Sequence, residues 1–319
     1  MPHSATRTIV NNRHAIIIRM NQRHIIFVPG KNPKPPADQH CKVLWRTLLE
    51  GVRRAEPEIF IDLRQHALNF KLIAWNHLFY LQNKDISSEL AWIDALINQH
   101  GPTEQDIYEA NAWHRKLMRM LYTIVDYLPF LLYFTPKDLR LTAQETTRYF
   151  ENGSNIACEV RELLKQALRP LLTNNDKVLL IGHSLGSVIA YDTLWELSHL
   201  ERLPGKIDMF LTIGSPLGMN YVQRRLMGNN LSGKKQYPTN IRRWVNISAV
   251  GDITALDQIF ADDFAEMLSL GIIDSIEDHC DRIYNFYRNE KGLNCHRSYG
   301  YLVNPAMGKV VADWWQQSV

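Results

Sequence analysis

The residues best placed for covalent chemistry in this chain are Gly182-His183-Ser184-Leu185-Gly186. An apolar, β-branched run from Val178 to Ile181 leads into them, with Lys177 ahead, and a helical pattern follows at once. Strand, sharp turn and helix in that order make G-x-S-x-G a nucleophile elbow: the turn holds its central residue in a strained conformation, so that the hydroxyl stands clear of the sheet. Glycine is needed on either side because a Cβ there would collide with the neighbouring strand and helix. A phosphate-binding turn would call for more glycines or a lysine after the last one, and Ser187-Val188 stand there instead.

A serine hydroxyl is a weak nucleophile at neutral pH. It needs a base to take its proton, and that base needs a carboxylate to fix its tautomer and stabilise its charge. Behind an elbow of this kind the partners follow in the order Asp or Glu, then His, each on a loop at the carboxyl end of a later strand. Of 12 histidines only His199, His279 and His296 follow Ser184. His199 falls at the far end of the elbow helix. His279 sits in the acidic run Asp274 to Asp278, before the stretch Asp281 to Arg288 that reads as the last strand. His296 lies in the loop after that strand and is the expected base. The expected acid is Asp252, the first carboxylate after the strand Arg242 to Val250, with Asp257 as the alternative.

The elements that must position these groups form an alternating α/β pattern. Ala15 to Met20 and His24 to Val28 read as short strands, Ala37 to Arg54 as a helix, Phe70 to Trp75 and Ile207 to Ile213 as strands, and Pro305 opens a closing helix. The loop Pro29-Gly30-Lys31-Asn32-Pro33 leaves its strand on the side of the elbow. Its amide at Lys31 or Asn32 is the expected second donor of an oxyanion hole, with the amide of Leu185 as the first. Gly30, His183 and Leu217 are expected to contact substrate. Helical periodicity over Ile86 to Gln99, Glu104 to Arg119 and Leu121 to Phe134 suggests a cap inserted before the crossover helix Asn155 to Leu172. The expected organisation is a core over 1–80, a helical cap over 81–150 and the remainder of the core over 151–319.

Composition narrows the classes. Hydrophobic residues make up 45% and charged residues 22%, as in ordinary globular domains. A net charge of +3 is too small to argue for nucleic acid. Cys41, Cys158, Cys280 and Cys295 lack paired C-x-x-C spacing, which argues against a metal centre. With no secretory signal pattern at the N-terminus, a cytoplasmic location is expected. Leu117 to Phe134 is the most apolar segment, interrupted by Asp126 and Pro129, and 219–251 holds no carboxylate. Two readings of the apolar segment stay open: a wall of a pocket for an apolar acyl chain, or peripheral contact with membrane lipid.

GHSLGSVIAYDTL, GSPLG, the Gly251-Asp252 pair after a Trp-containing strand and the late HRSYGYL together resemble the α/β-hydrolase superfamily, and within it intracellular lipase and phospholipase-type serine esterases. The elbow and GSPLG are also similar to DDHD-type phospholipases. Pro29-Gly30 stands where the superfamily has His-Gly in its oxyanion loop. The resemblance implies an α/β-hydrolase fold, a small-molecule or lipid ester as substrate and no cofactor. Acyl transfer and a catalytically inactive scaffold are the alternatives on the same fold.

Overall fold

The computed structural model describes residues 22–127, 146–151 and 155–317. Six strands, β1 (Arg23–Val28), β2 (Phe70–Leu72), β3 (Lys177–His183), β4 (Ile207–Ile213), β5 (Ile241–Ile247) and β6 (Ser275–His279), form one parallel sheet in the order β2-β1-β3-β4-β5-β6. Successive residues point to opposite faces, and helices cover both. Ile25, Phe27, Leu179, Ile181, Met209 and Leu211 pack towards the helices Ala37–Ala55 and Pro305–Gln316. Ile26, Val28, Val178, Leu180 and Phe210 pack towards the crossover helix Ile156–Thr173 and the elbow helix Leu185–His199. Burial on both faces is why the inner strands read as unbroken apolar runs rather than alternating ones.

The expectation for the last strand is corrected. The last strand of the parallel sheet is the acidic run Ser275–His279, not Asp281 to Arg288, of which only Arg288 lies in a strand, the two-residue Arg288–Asn289 paired with Gly292–Leu293. An edge strand pairs on one side only, and of β6 only Ile276 is buried, so SIEDH lacks the apolar run that marks an inner strand. Ile283, Phe286 and Tyr287 are buried, but in irregular chain whose Ile283 carbonyl accepts from the Val250 amide at 2.7 Å. The single helix expected over Glu104 to Arg119 is also two, Glu104–Ala110 and Trp113–Tyr127, with the break at Asn111 and Ala112. The expected strand Ala15 to Met20 and residues 128–134 of the apolar segment lie outside the described residues.

Between β2 and the crossover helix come the helices Asn76–Phe79, Ser87–Asn98, Glu104–Ala110, Trp113–Tyr127 and one over 146–151. Among the described residues no helix is long and apolar enough to cross a membrane.

Strand order decides where a site can form. β1 lies between β2 and β3, so the chain moves outward on one side after β1 and later returns to its other side. Connections after β1 and β3 therefore diverge, and a crevice opens between them at the carboxyl ends of the strands. The loop after β1 begins at Pro29, and the turn after β3 is Ser184.

Candidate active site

Ser184 stands at the switch point with φ 53° and ψ −129°. A left-handed φ is costly for a residue with a Cβ and persists only where its surroundings fix it. Several contacts do so here. The Ser184 amide donates to the Ile213 carbonyl at 3.1 Å, and the Ser187 hydroxyl donates to the Ser184 carbonyl at 2.6 Å while lying 2.7 Å from the Ser215 hydroxyl. Both elbow glycines are sterically required. A Cβ on Gly182 would lie 2.6 Å from the Ser187 Cα, and one on Gly186 would lie 2.2 Å from the Val28 carbonyl oxygen. Backbone on both sides cannot give way, so Gly186→Ala is expected to destabilise the fold by about 3 kcal/mol, read as a lower midpoint in urea unfolding.

The structure brings Ser184, His296 and Asp252 into one line. Ser184 Oγ is 2.9 Å from His296 Nε2, and His296 Nδ1 is 2.8 Å from Asp252 Oδ2. Asp252 is fully engaged: Oδ1 accepts from the Thr254 amide at 2.8 Å, and Oδ2 accepts from the Tyr301 hydroxyl at 2.6 Å as well as from His296. Burial pushes this carboxyl up, but the His296 charge and these hydrogen bonds outweigh burial and hold it below its ordinary value. The carboxylate stays ionised, and the Nδ1 proton of His296 has a fixed acceptor. Nε2 is thereby left to accept from the serine.

Three other residues that sequence reasoning weighed are elsewhere. Asp257 accepts from the Ile259 amide at 3.0 Å, and His199 lies 2.8 Å from the Tyr237 carbonyl. His279 ends β6, at the carboxyl edge rather than the opposite one, but three strands from β3, roughly 14 Å across the sheet.

Gly30, Lys31 and Asn32 do border Ser184, in a cavity of about 80 Å³ that Lys34, Asn294 and Arg297 also line. A Cβ on Gly30 would lie 2.9 Å from the Ser184 Cβ, so glycine lets the loop close over the elbow. The loop is held from below: Trp75 Nε1 donates to the Pro29 carbonyl at 2.8 Å, and Asn76 Nδ2 donates to the carbonyls of Gly30 and Asn32 at 2.9 and 3.1 Å. The Asn32 amide donates to the Tyr80 hydroxyl at 2.9 Å. Of the two expected loop donors, Asn32 is thus turned to another acceptor. Leu185 is the first residue of its helix, where an amide has no intrahelical acceptor.

Leu217 and His183 are placed differently. Leu217 is fully buried in the core on the elbow-helix side, where the Pro-Leu turn after β4 packs inward, so it is not a crevice residue. His183 borders the crevice but is itself buried, and its Nε2 lies 2.8 Å from the His296 carbonyl. Burial, then the nearby His296 and Lys34, push its imidazole well below the usual value. A neutral ring donating from Nε2 fastens the loop that carries His296. Its centroid lies 4.8 Å from that of His296.

Sequence reasoning missed Tyr301, Gly214 and Asn76. Tyr301 lies in the HRSYGYL stretch already singled out, and its hydroxyl also accepts from the Ala249 amide at 2.9 Å. Gly214, at φ 53°, packs so closely that a Cβ would lie 2.8 Å from Asp252 Oδ2 and 3.1 Å from His296 Nδ1. The glycine after β4 was its signal. Asn76 carried none, because its role depends on a carbonyl 46 residues away. Among the described residues no cluster of His, Cys, Asp and Glu is suited to hold a metal ion.

Comparison with models of protein families, with curated proteins and with solved structures gave no match.

Proposed function

We propose that the protein is a serine hydrolase of α/β-hydrolase type that cleaves a carboxylic ester through an acyl-enzyme. The observation that carries this reading is the Ser184, His296, Asp252 relay, at 2.9 and 2.8 Å, on loops at the carboxyl ends of a parallel sheet. Ser184 Oγ attacks the ester carbonyl while His296 Nε2 takes its proton, and the imidazolium is stabilised by Asp252. The tetrahedral oxyanion is held by the amides of Leu185 and Lys31. His296 then gives its proton to the departing alcohol, water enters, and the same base returns the serine as the acid leaves. The helices between β2 and the crossover helix serve as the cap.

The polar lining of the crevice suits a small, polar surrounding for the scissile bond. Leu117, Met120, Leu121 and Ile124 are exposed and do not line this cavity, so they supply no wall for an apolar acyl chain. Hydrogen-bond contact between Ser184 and His296 supports an enzyme over an inactive scaffold. Acyl transfer shares the first half of the mechanism and is told apart by product analysis with an added alcohol. All four cysteines are free thiols, which supports a reducing compartment.

A fluorophosphonate should label the protein once, at the peptide containing Ser184, and abolish hydrolysis of p-nitrophenyl acetate. Labelling at another residue, or activity that survives full labelling, would refute the reading. Asn76→Ala frees the loop carbonyls while leaving the relay untouched. It is expected to lower kcat by up to about 100-fold through misplacement of the Lys31 amide, with fluorophosphonate labelling slowed rather than lost.

A further inference from the structure

The helix Trp113–Tyr127 is mounted inside out. Its polar face is bound down to the protein: Arg115 donates to the carbonyls of Leu293 and Gly251 at 2.7 and 3.3 Å, Arg119 to that of Leu256 at 2.7 Å, and Asp126 accepts from the amides of Asn220 and Tyr221, each at 2.8 Å. Trp113, Leu117, Met120, Leu121, Ile124 and Tyr127 recur at spacings of three and four, so they share the opposite face, and all are exposed. Trp113 and Tyr127, at the two ends, are 75% and 62% exposed. An amphipathic surface helix ordinarily does the reverse and turns its apolar stripe to the core. A contiguous apolar stripe held outward by its own polar anchors marks a surface that meets something apolar.

Charge around the stripe identifies the occupant. Asp126 is the helix's only carboxylate and is buried, whereas Lys116 is exposed. Asn220 and Tyr221, which Asp126 grips, open a short segment that carries the exposed Arg224 and Arg225, and 219–251 contains no acidic residue. A second copy docked on this face would bring Lys116, Arg224 and Arg225 of both chains together; the exposed Asp263 shares a cleft with Arg224, but neither the helix nor 219–251 has an exposed acid to offset Lys116 and Arg225. Anionic lipid offsets them directly, and Trp and Tyr favour the depth of the headgroups. We propose that this face, the outer side of Trp113–Tyr127 with Arg224 and Arg225, docks the protein on the surface of an anionic membrane. Arg115 ties this helix to the carbonyls of Gly251 and Leu293, each next in sequence to Asp252 or to the crevice residue Asn294.

The test is co-sedimentation of the full chain with vesicles of phosphatidylcholine alone and of phosphatidylcholine containing phosphatidylserine. Binding is expected to the second, to weaken as salt is raised, and to fall at least about tenfold in Leu117→Asp/Ile124→Asp. Arg224→Gln/Arg225→Gln is expected to weaken it by about fivefold for each cation removed. Hydrolysis of soluble p-nitrophenyl acetate should be unchanged in both variants, which keeps docking separable from the proposed chemistry. The proposal is overturned if the wild-type chain sediments with neither vesicle or equally with both, if the double Asp variant binds like wild type, or if the wild type is a dimer that this variant dissolves.

Discussion

Ser184→Ala is expected to lower kcat for p-nitrophenyl acetate by about 10⁵- to 10⁶-fold with KM changed by no more than a few-fold. The methyl group keeps the backbone's partners, since the elbow is held by the Ser184 amide and carbonyl through Ile213 and Ser187 rather than by the hydroxyl. Folding stability should therefore stay within about 1 kcal/mol of wild type. Only the nucleophile is lost. In the proposed mechanism the amides of Leu185 and Lys31 remain to receive the oxyanion, so a residual rate about 10³-fold above that in water is expected, from direct attack of water in the same crevice. Burst kinetics with p-nitrophenyl acetate would vanish along with the acyl-enzyme. A variant that retains more than about a hundredth of wild-type activity would place the nucleophile at another residue.

How much of this site is legible in the sequence depends on how local each constraint is. The elbow is local: Gly182, Ser184 and Gly186 declare themselves by type and spacing, and the clashes of Gly182 with Ser187 and of Gly186 with Val28 are the reasons for that spacing. His296 and Asp252 are distant in sequence but follow from strand order, because each must come from a loop at the carboxyl end of the sheet. That logic points to His296 whether the last strand of the sheet lies at Ser275–His279, as it does, or at Asp281 to Arg288. Both Ser275–His279 and the segment Asp281 to Arg288 precede the loop that carries His296. Contacts that join residues far apart without a pattern of their own were not legible. Asn76 supports Gly30 and Asn32, Tyr80 engages the Asn32 amide, and Tyr301 shares an oxygen of Asp252. Leu217 was not legible for a related reason: a leucine after β4 can satisfy the core as well as a substrate, and here it is fully buried in the core.

Asp252→Asn is expected to lower kcat by about 10⁴-fold with little change in KM, for a reason specific to the partners of this carboxylate. Oδ1 accepts from the Thr254 amide, so the carbonyl oxygen of the new side chain must stay on that side to avoid two donors facing each other. Its NH₂ group then takes the place of Oδ2, against His296 Nδ1 and the Tyr301 hydroxyl. Tyr301 can turn its proton away and accept. His296 can accept only at Nδ1, which moves its proton to Nε2, facing Ser184 Oγ. The ring is then a donor where a base is needed, and the serine keeps its proton. Nothing of the backbone changes, so the variant should fold. It should lose, however, the stability that the lowered carboxyl of wild type gains from His296 and Tyr301. That gain is complete above the ordinary carboxylate range and is withdrawn as pH falls through the lowered native value, so the two proteins should converge in urea stability towards acid pH and differ near neutrality. Asp257→Asn is the matched control: its carboxylate caps the Ile259 amide and should leave kcat within about twofold of wild type. A loss below about tenfold in Asp252→Asn would mean that His296 takes its tautomer from another group, and would remove the relay on which the hydrolase reading rests.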